Sequence, residues 1–353
     1  MNEFSHTIPY SILDVAPVTK GSSAGQTFEK SLALAQHAES LGYKRIWYAE
    51  HHNMLSIASS ATAVIIGYIA GGTNKIRVGS GGIMLPNHSP LIIAEQFGTL
   101  ASLYPGRIDL GVGRAPGTDP DTAFAIRQDR MLSVQNFPEE INLIQKYLSA
   151  DNSTAKVRVP FAEGLDIPIY VLGSSTDSAW LAAQKGLPYA FASHFSTGQL
   201  LAALNIYYNE FKPSEYLSEP YAIACINVIA ADTNEKAEKI STSLLRMFLN
   251  VLSGKPDYLQ EPTDMTYEWK QLWDHPSVQQ MLKYTFVGNK ETVKKKTEEF
   301  LALTRVNELM VVTNTFDHGD RLKSYSLFAD IMHELNNSAI YDAATGDAFQ
   351  AGK

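Results

Sequence analysis

The sequence has almost no cysteine and no long hydrophobic run. Its 353 residues include one cysteine, Cys225, which excludes an intrachain disulfide and any metal centre built from cysteines. Because Cys225 lies in the apolar stretch YAIACINVIAA, we expect a small buried side chain rather than a reactive thiol. The longest apolar run, near residues 61–70, is too short to cross a membrane, and no basic-then-apolar leader opens the chain. We therefore predict a cytoplasmic protein without a membrane partner.

Positive charge is also scarce. There are 29 lysines and arginines against 37 aspartates and glutamates, which gives a formal net charge of -8. A surface of this sign does not attract the phosphates of nucleic acid, so we predict no nucleic-acid partner. The 45% share of hydrophobic residues is instead typical of a globular protein with a large core.

Short apolar runs alternate with segments of helical period along the whole chain. The predicted strands span residues 8–14, 44–49, 75–81, 107–112, 167–172, 188–192, 221–230 and 306–312. Regular alternation of strand and helix predicts a parallel sheet, and this number of units favours a closed (β/α)8 TIM barrel of the α/β class. An open, doubly wound sheet is the alternative. We predict a single domain over residues 1–353.

One segment interrupts this alternation. Residues 251–288, just before the last predicted strand and its preceding helix, contain prolines and aromatic residues without a clear period. A long irregular insertion in a compact domain is often a lid or a binding loop. It could equally be a helical decoration packed on the outside of the barrel by Trp269, Trp273 and Tyr284.

In a barrel of this type, functional residues lie at the carboxyl ends of the strands. The fifth predicted strand ends in LGSSTDSAW, which places Gly173, Ser174, Ser175 and Ser178 at the start of a helix. Backbone N–H groups and hydroxyls at a helix N-terminus can bind an anion, and a phosphate suits them best. Helix capping by Ser174 or Ser175 is the simpler alternative.

Glycines thin two further strand ends, GSGGIM and GVGRAPG. The second stretch is not a dinucleotide-binding motif, because its glycine spacing is wrong and Pro116 occupies the place of the third glycine. Such glycines let a flat ligand approach the backbone, and Arg114 adds a fixed cation nearby. Together with the serines, these features indicate a planar, phosphorylated cofactor.

The second predicted strand ends in Glu50, His51 and His52. A metal is the weaker interpretation, because consecutive strand residues point to opposite faces and no second set of ligands is spaced for a metal. Proton transfer needs only one inward imidazole, with Glu50 fixing its tautomer or pairing with Arg114. A histidine pair that merely completes a loop is the third possibility.

The segments EHH, VGSGGIMLPNHSP and YPGRIDLGVGRAPG, followed by VLGSSTDSAW, occur in an order and spacing that resemble the bacterial luciferase-like monooxygenase family. The resemblance covers most of the chain. It implies a (β/α)8 barrel that binds FMN, or a related deazaflavin coenzyme, at the carboxyl ends of the strands. Flavin-dependent members use reduced FMN and O2 to oxidise an aldehyde or another small organic substrate.

The resemblance also implies roles for individual residues. Gly81 and Gly82 match a bulge with a non-proline cis peptide beneath the flavin ring, and Gly113 and Arg114 match residues near the flavin. Ser174, Ser175 and Ser178 match the phosphate-binding loop, and His51 matches a catalytic acid/base. Luciferase itself has a reactive cysteine where this chain has Gly113, so light emission is not implied.

The leading hypothesis is therefore an FMN-dependent monooxygenase that receives reduced FMN from a separate flavin reductase, since no NAD(P)H-binding motif is visible. A deazaflavin-dependent hydride-transfer enzyme and a non-catalytic flavin-binding protein are the alternatives. The helices at 59–71 and 88–103 carry more apolar residues than one barrel face needs, and members of the family pair through these helices, so we predict a homodimer. The apolar residues are Val64, Ile65, Tyr68, Ile69, Ile92, Ile93, Phe97 and Leu100.

Overall fold

A computed structural model describes residues 7–350, with side chains described as far as residue 338. The first six and last three residues of the predicted domain lie outside this part. The strands are β1 (Tyr10–Asp14), β2 (Arg45–Tyr48), β3 (Arg77–Ser80), β4 (Ile83–Met84), β5 (Ile108–Gly113), β6 (Ile169–Gly173), β7 (Tyr189–Phe191), β8 (Ala222–Ala230), β9 (Thr285–Gly288) and β10 (Glu308–Val312).

Helices fill the connections between these strands. They are α1 (Ala24–Ser40), α2 (Thr62–Gly71), α3 (Pro90–Leu103), α4 (Pro120–Ile126), α5 (Arg130–Gln135), α6 (Phe137–Leu148), α7 (Thr176–Lys185), α8 (Leu200–Glu210), α9 (Asn234–Leu252), α10 (Tyr267–Trp273), α11 (Pro276–Met281), α12 (Lys290–Thr304) and α13 (His318–Gln350), with short 3-10 turns at Leu85–Asn87 and Ala150–Thr154. Among the described residues, no helix combines the length and apolar character that a membrane span requires.

The sheet closes into a parallel barrel, which confirms the predicted fold class. The order is β1, β2, β3, β5, β6, β7, β8 and β10, and β10 pairs with both β8 and β1. Each predicted strand of the barrel coincides with an observed one to within a few residues. Inside the barrel, apolar side chains such as Leu13, Trp47 and Met310 pack together with Cys225, which is buried as expected.

Buried charges close the amino-terminal end of the barrel. The guanidinium of Arg45 lies 2.7 Å from an oxygen of Asp109 and 3.0 Å from one of Glu308. Arg45 also donates a 2.6 Å hydrogen bond to the hydroxyl of Tyr170. Buried charges are tolerated only when they are paired. Because this cluster lies at the end of the barrel opposite the carboxyl ends of the strands, we assign it a structural role rather than a functional one.

Local sequence explains where the helices begin and end. Ser23 caps α1, because its hydroxyl accepts a hydrogen bond from the backbone of Gln26 at 3.2 Å while the Gln26 side chain accepts one from the Ser23 backbone at 2.9 Å. The chain leaves α1 at Gly42, whose φ of 78° suits glycine. The helix predicted over residues 26–41 therefore ends at the expected glycine.

The insertion at 251–288 contains more regular structure than the sequence suggested. Its first two residues complete α9, its middle forms α10 and α11, and its last four form β9, which pairs with the end of β8. Trp269 and Trp273 pack against the buried residues Leu245, Val278 and Leu282. This part of the insertion is therefore a helical decoration, and the strand at its end extends the sheet.

Candidate functional site

A cavity of about 500 Å³ opens at the carboxyl ends of the barrel strands. Its walls come from the loops that follow β1, β2, β3, β5, β6 and β7, where residues far apart in the chain meet. Every site residue predicted from the sequence lies in this wall: His51, Gly81, Gly82, Gly113, Arg114, Gly173, Ser174, Ser175 and Ser178. The volume lies within the range of small-molecule and cofactor sites.

Glycines form one flat side of the cavity. The peptide between Gly81 and Gly82 is cis, as the resemblance implied. A Cβ on Gly82 would lie 2.8 Å from the carbonyl oxygen of Gly111, and one on Gly81 would lie 2.7 Å from a methyl carbon of Leu13. Side chains at these positions would displace the barrel wall, so glycine is required for the backbone itself to line the cavity.

The serine-rich loop lies at the start of α7. Ser175 caps this helix and accepts a 3.4 Å hydrogen bond from the backbone N–H of Ser178. The Ser178 hydroxyl turns back to donate to the carbonyl oxygen of Ser175 at 2.7 Å. A Cβ on Gly173 would lie 2.0 Å from that hydroxyl oxygen, so only glycine lets Ser178 pack beneath the loop. Capping thus accounts for Ser175, while Ser174 lines the cavity next to the helix N-terminus.

Two arginines line the same cavity as this loop. Arg114 is about half exposed, and its guanidinium lies 3.7 Å from a carboxylate oxygen of Asp177 in the first turn of α7. Arg130, which the sequence analysis missed, donates to the side-chain oxygen of Asn87 at 3.1 Å and to the carbonyl oxygen of Arg114 at 3.1 Å. Partial burial lowers the pKa of Arg130, so this charge is not fully solvated. Since Arg130 begins a helix far from any strand end, no strand-end pattern pointed to it.

His51 projects into the same cavity. Its Nδ1 lies 3.3 Å from the carbonyl oxygen of Gly117. A carbonyl oxygen can only accept, so this contact assigns the proton of the neutral ring to Nδ1 and leaves a lone pair on Nε2. Burial lowers the pKa of His51 below its usual value of 6.5. At neutral pH the ring can therefore accept a proton at Nε2.

The sequence analysis expected Glu50 to fix the tautomer of the inward histidine or to pair with Arg114, and the structure shows neither contact. The buried carboxylate of Glu50 instead accepts hydrogen bonds from His52 Nε2 at 2.9 Å, His88 Nε2 at 2.9 Å, the Met84 backbone at 2.8 Å and Asn87 Nδ2 at 3.1 Å. Glu50 thus ties the loop after β2 to the loop after β4. His52 faces away from His51 towards this carboxylate, as expected for consecutive residues at a strand end. Within the described part of the chain, no group of three histidine, cysteine, aspartate or glutamate side chains is arranged to hold a metal ion.

The hydrogen bonds to Glu50 predict a dependence of stability on pH. Burial alone would raise the pKa of Glu50, but the hydrogen bonds from His52 and His88 and the charge on His88 hold it at about 2, against an ordinary value of 4.5. A lowered pKa contributes stability above pH 4.5 that is lost as the pH falls towards 2, and the shift corresponds to about 3 kcal/mol. We expect acid unfolding curves of wild type to be steeper in this window than those of Glu50→Gln. Equal slopes would contradict this assignment.

The structure also brings a second imidazole to the cavity. His194, in the ASHFS stretch after β7, lines the same wall as His51. Its burial, together with the nearby charge of His51, lowers the pKa of His194 to about 3. The sequence analysis assigned no role to His194. A polar residue at the carboxyl end of a barrel strand was the signal that could have identified it.

A second, more open cavity of about 440 Å³ adjoins the first. His51 and Gly117 line both, and Val251 and Pro256 from the start of the insertion form part of the outer wall. The insertion therefore has two parts: the helices that decorate α9, and a first segment that borders the approach to His51.

Comparison with known proteins places this geometry in context. Residues 8–308 match the model of the luciferase-like monooxygenase family. A protein of Escherichia coli (strain K12) named luciferase-like monooxygenase is 47% identical over 93% of this chain and 98% of its own length. An N-acetyl-S-alkylcysteine monooxygenase of Bacillus subtilis (strain 168) is 33% identical over 92% of this chain and 98% of its own length.

Solved structures show the same architecture. That of apo-MsnO8 superimposes with a TM-score of 0.85 at 31% identity, over 92% of this chain and 98% of the other. The FMN complex of the oxygenating constituent of 3,6-diketocamphane monooxygenase from Pseudomonas putida has a TM-score of 0.69 at 17% identity, over 92% and 97%. An F420-dependent secondary alcohol dehydrogenase has a TM-score of 0.65 at 16% identity, over 95% and 99%. The last two share the fold at identities too low to show more.

Proposed function

The chain belongs to the luciferase-like monooxygenase family, and on that basis we propose that it is an FMN-dependent monooxygenase that oxidises a small organic substrate such as an aldehyde. The observation that carries the proposal is the meeting of a glycine wall, a helix N-terminus with serines, Arg114 and His51 in one cavity. A planar ring with a phosphate on a flexible chain matches this arrangement.

The residues present fit FMN in separate ways. The backbone of Gly81 and Gly82 lines the cavity and accepts a flat ring, and a side chain on either residue would displace this wall. The N-terminus of α7, with Ser174 and Arg114 beside it, offers N–H groups, a hydroxyl and a cation to the phosphate. Reduced FMN, when bound, supplies the electrons that activate O2 for insertion of one oxygen atom into the substrate.

The chain's own residues hold the cofactor and handle protons. Nδ1 of His51 is engaged by the Gly117 carbonyl, so Nε2 is the atom that accepts and returns a proton in the cavity. The apolar residues Met84, Val134 and Phe195 line the same space and exclude water from it. We propose that a separate reductase supplies reduced FMN in the cytoplasm, and that the chain acts as a single domain.

Deazaflavin-dependent hydride transfer is the second candidate, because an F420-dependent dehydrogenase shares this barrel. Titration of the protein with FMN and with F420, each followed by fluorescence, separates the two. We expect FMN to bind more tightly, and reduced FMN with O2 to support substrate oxidation. Tighter binding of F420 would favour the dehydrogenase, and FMN binding without any effect on the oxidation of reduced FMN would favour a non-catalytic flavin-binding protein.

Arg114 provides a test of the phosphate site. Charge-assisted hydrogen bonds contribute about 1.5–3 kcal/mol each, so Arg114→Ala should weaken FMN binding about tenfold or more. Riboflavin, which lacks the phosphate, should bind wild type and variant equally. Arg158→Ala is the matched control, because Arg158 lies away from the cavity. Its guanidinium is 2.6 Å from a carboxylate oxygen of Glu163. An equal loss of FMN and riboflavin affinity in Arg114→Ala would exclude Arg114 as a phosphate contact.

We further propose that the protein is a homodimer, although less apolar surface is available than the sequence suggested. Of the residues considered on α2 and α3, Ile65, Ile69, Ile93, Phe97 and Leu100 are buried within the chain. Val64, Tyr68 and Ile92 remain 72%, 46% and 45% exposed and are the candidates for contact with a second copy.

Sedimentation equilibrium at micromolar concentration should give the mass of a dimer for wild type. Val64→Glu should shift it towards monomer, because a charge would be buried at the interface. Leu252→Glu, at an equally exposed site on α9, should not. A monomeric wild type would refute the dimer.

A further inference from the structure

His194 is the titratable side chain of the cavity that the proposed function leaves without a role. Its Nδ1 is buried and has no hydrogen-bond partner among the residues that the structure describes. Because this atom is enclosed by the protein, it is not the ring atom that meets a ligand in the cavity. Nε2 is then the ring atom left to reach a ligand.

The tautomer follows from the cost of burying an unpaired group. An N–H donor without a partner is rarer in proteins than an acceptor that lacks one, so the proton of the neutral ring is best placed on Nε2. His194 then offers a donor to the cavity. His51 offers the opposite, because its proton is held on Nδ1 by the Gly117 carbonyl.

Hydrogen bonds from side chains to backbone carbonyl oxygens fix the position of His194. Asn227, which points into the barrel from β8, donates a 2.5 Å hydrogen bond to the carbonyl oxygen of His194. The Ser193 hydroxyl donates to the carbonyl oxygen of Cys225 at 2.6 Å. Asn227 also donates to the hydroxyl of Thr285 at 3.2 Å, so β9 of the insertion supports the same arrangement.

Most of the other side chains that line this cavity are apolar. Phe195 packs edge-on against its ring with centroids 4.9 Å apart, and Met131 and Val134 lie in the same wall. The charged residues of the cavity are engaged elsewhere: Arg114 lies near Asp177 at the start of α7, and Arg130 donates to Asn87 and to the backbone of Arg114. A substrate beside His194 therefore meets apolar walls and one neutral donor.

We propose that His194 donates a hydrogen bond from Nε2 to an acceptor atom of the organic substrate, and that the substrate is an uncharged, mainly apolar molecule with a carbonyl-type oxygen. This inference rests on the proposed function, since it assigns the substrate to the cavity that also holds FMN. The two histidines then have different roles, because His51 transfers the proton and His194 positions the substrate. His194 remains uncharged at neutral pH, so it provides orientation without adding a positive charge.

The test uses a pair of probes that differ only in the acceptor. Cyclohexanone has a carbonyl oxygen, and methylenecyclohexane replaces it with a CH2 group of similar shape. Both are titrated into the protein loaded with oxidised FMN, and the ring signals of the histidines are followed by NMR. We expect cyclohexanone to shift the His194 signals and to bind about three- to tenfold more tightly than methylenecyclohexane, the preference that a neutral hydrogen bond provides.

Variants separate the hydrogen bond from the shape of the site. His194→Phe should remove the preference for cyclohexanone, whereas His194→Gln, which places an amide N–H near the position of Nε2, should retain most of it. His275→Phe, at an exposed histidine of the insertion, is the matched control. FMN affinity should stay within a few-fold in every variant, because the serine loop and Arg114 are intact.

The outcomes are distinct. An unchanged preference for cyclohexanone in His194→Phe, or no response of the wild-type His194 signals, would overturn this role while leaving FMN binding in place. Failure of wild type to bind FMN would instead contradict the proposed function. Because the wild-type titration needs no variant, the inference remains testable even if His194→Phe does not fold.

Discussion

Replacing His51 by alanine is expected to lower the rate of substrate oxidation by about 10²–10⁴-fold, the usual contribution of a general acid/base. The imidazole lines the cavity with its Nε2 available to accept a proton, and we propose that His194, the other imidazole in the described lining of this cavity, acts as a donor. Burial keeps the pKa of His51 below 6.5, so the neutral ring dominates at pH 7. Oxidation by wild type should therefore decline as the pH falls through this lowered pKa, where His51 becomes protonated.

FMN affinity separates a catalytic role of His51 from a structural one. It should stay within a few-fold in His51→Ala, because the phosphate site is formed by other residues, while more O2 should be released as hydrogen peroxide. His52→Ala is the matched control. It removes one hydrogen bond from the buried Glu50, so it should lower the free energy of unfolding by about 1–3 kcal/mol and leave oxidation within a few-fold. Full coupled oxidation by His51→Ala, or its loss in His52→Ala alone, would show that the proton-transfer role is assigned to the wrong histidine.

Replacing Arg45 by methionine is expected to lower the free energy of unfolding by about 3–5 kcal/mol. The change leaves two buried carboxylates, Asp109 and Glu308, without the cation between them. Burial alone would raise the pKa of Glu308, but the charges of Arg45 and Lys44 hold it below its usual value, so the folded protein depends on these cations. Urea unfolding at pH 7 measures the effect.

Arg77 provides a graded control for Arg45. It contacts the other oxygen of Asp109 at 2.5 Å, but its side chain is 26% exposed, so water can replace part of the interaction. Arg77→Met should therefore lose only about 1–2 kcal/mol. Both variants should bind FMN normally when folded, since these residues lie at the end of the barrel opposite the cavity. Wild-type stability of Arg45→Met would show that the ion cluster is dispensable.

The barrel could be predicted because the alternation of an apolar run with a segment of helical period is repeated along the chain. Each long strand is a continuous apolar run followed by a helical period, and β8, with all of its side chains buried, shows this most clearly. By contrast, β4 has only two residues, and β9 ends the irregular insertion, where no alternation of strand and helix marks it. These strands form only because neighbouring barrel strands already present their hydrogen-bonding groups.

The site residues were predictable where a strand end carries them. Gly81, Gly113 and Ser174 directly follow or end strands and were found, whereas Arg130 reaches the cavity from a helix and was not. Glu50 shows the limit of local reasoning. Its neighbour in sequence is His51, but its partners Met84 and His88 come from a loop more than thirty residues away. Side-chain direction at a strand end depends on that tertiary loop, which the local sequence does not contain.

Rapid mixing of the protein–reduced FMN complex with oxygenated buffer tests the proposed function most directly. The complex is prepared without oxygen, and flavin absorbance is followed after mixing. A monooxygenase should change the time course of FMN oxidation from that of free reduced FMN and delay the return of oxidised FMN, and a true substrate should shorten this delay. A time course identical to that of free reduced FMN, at protein concentrations that bind all of the flavin, would contradict the proposal.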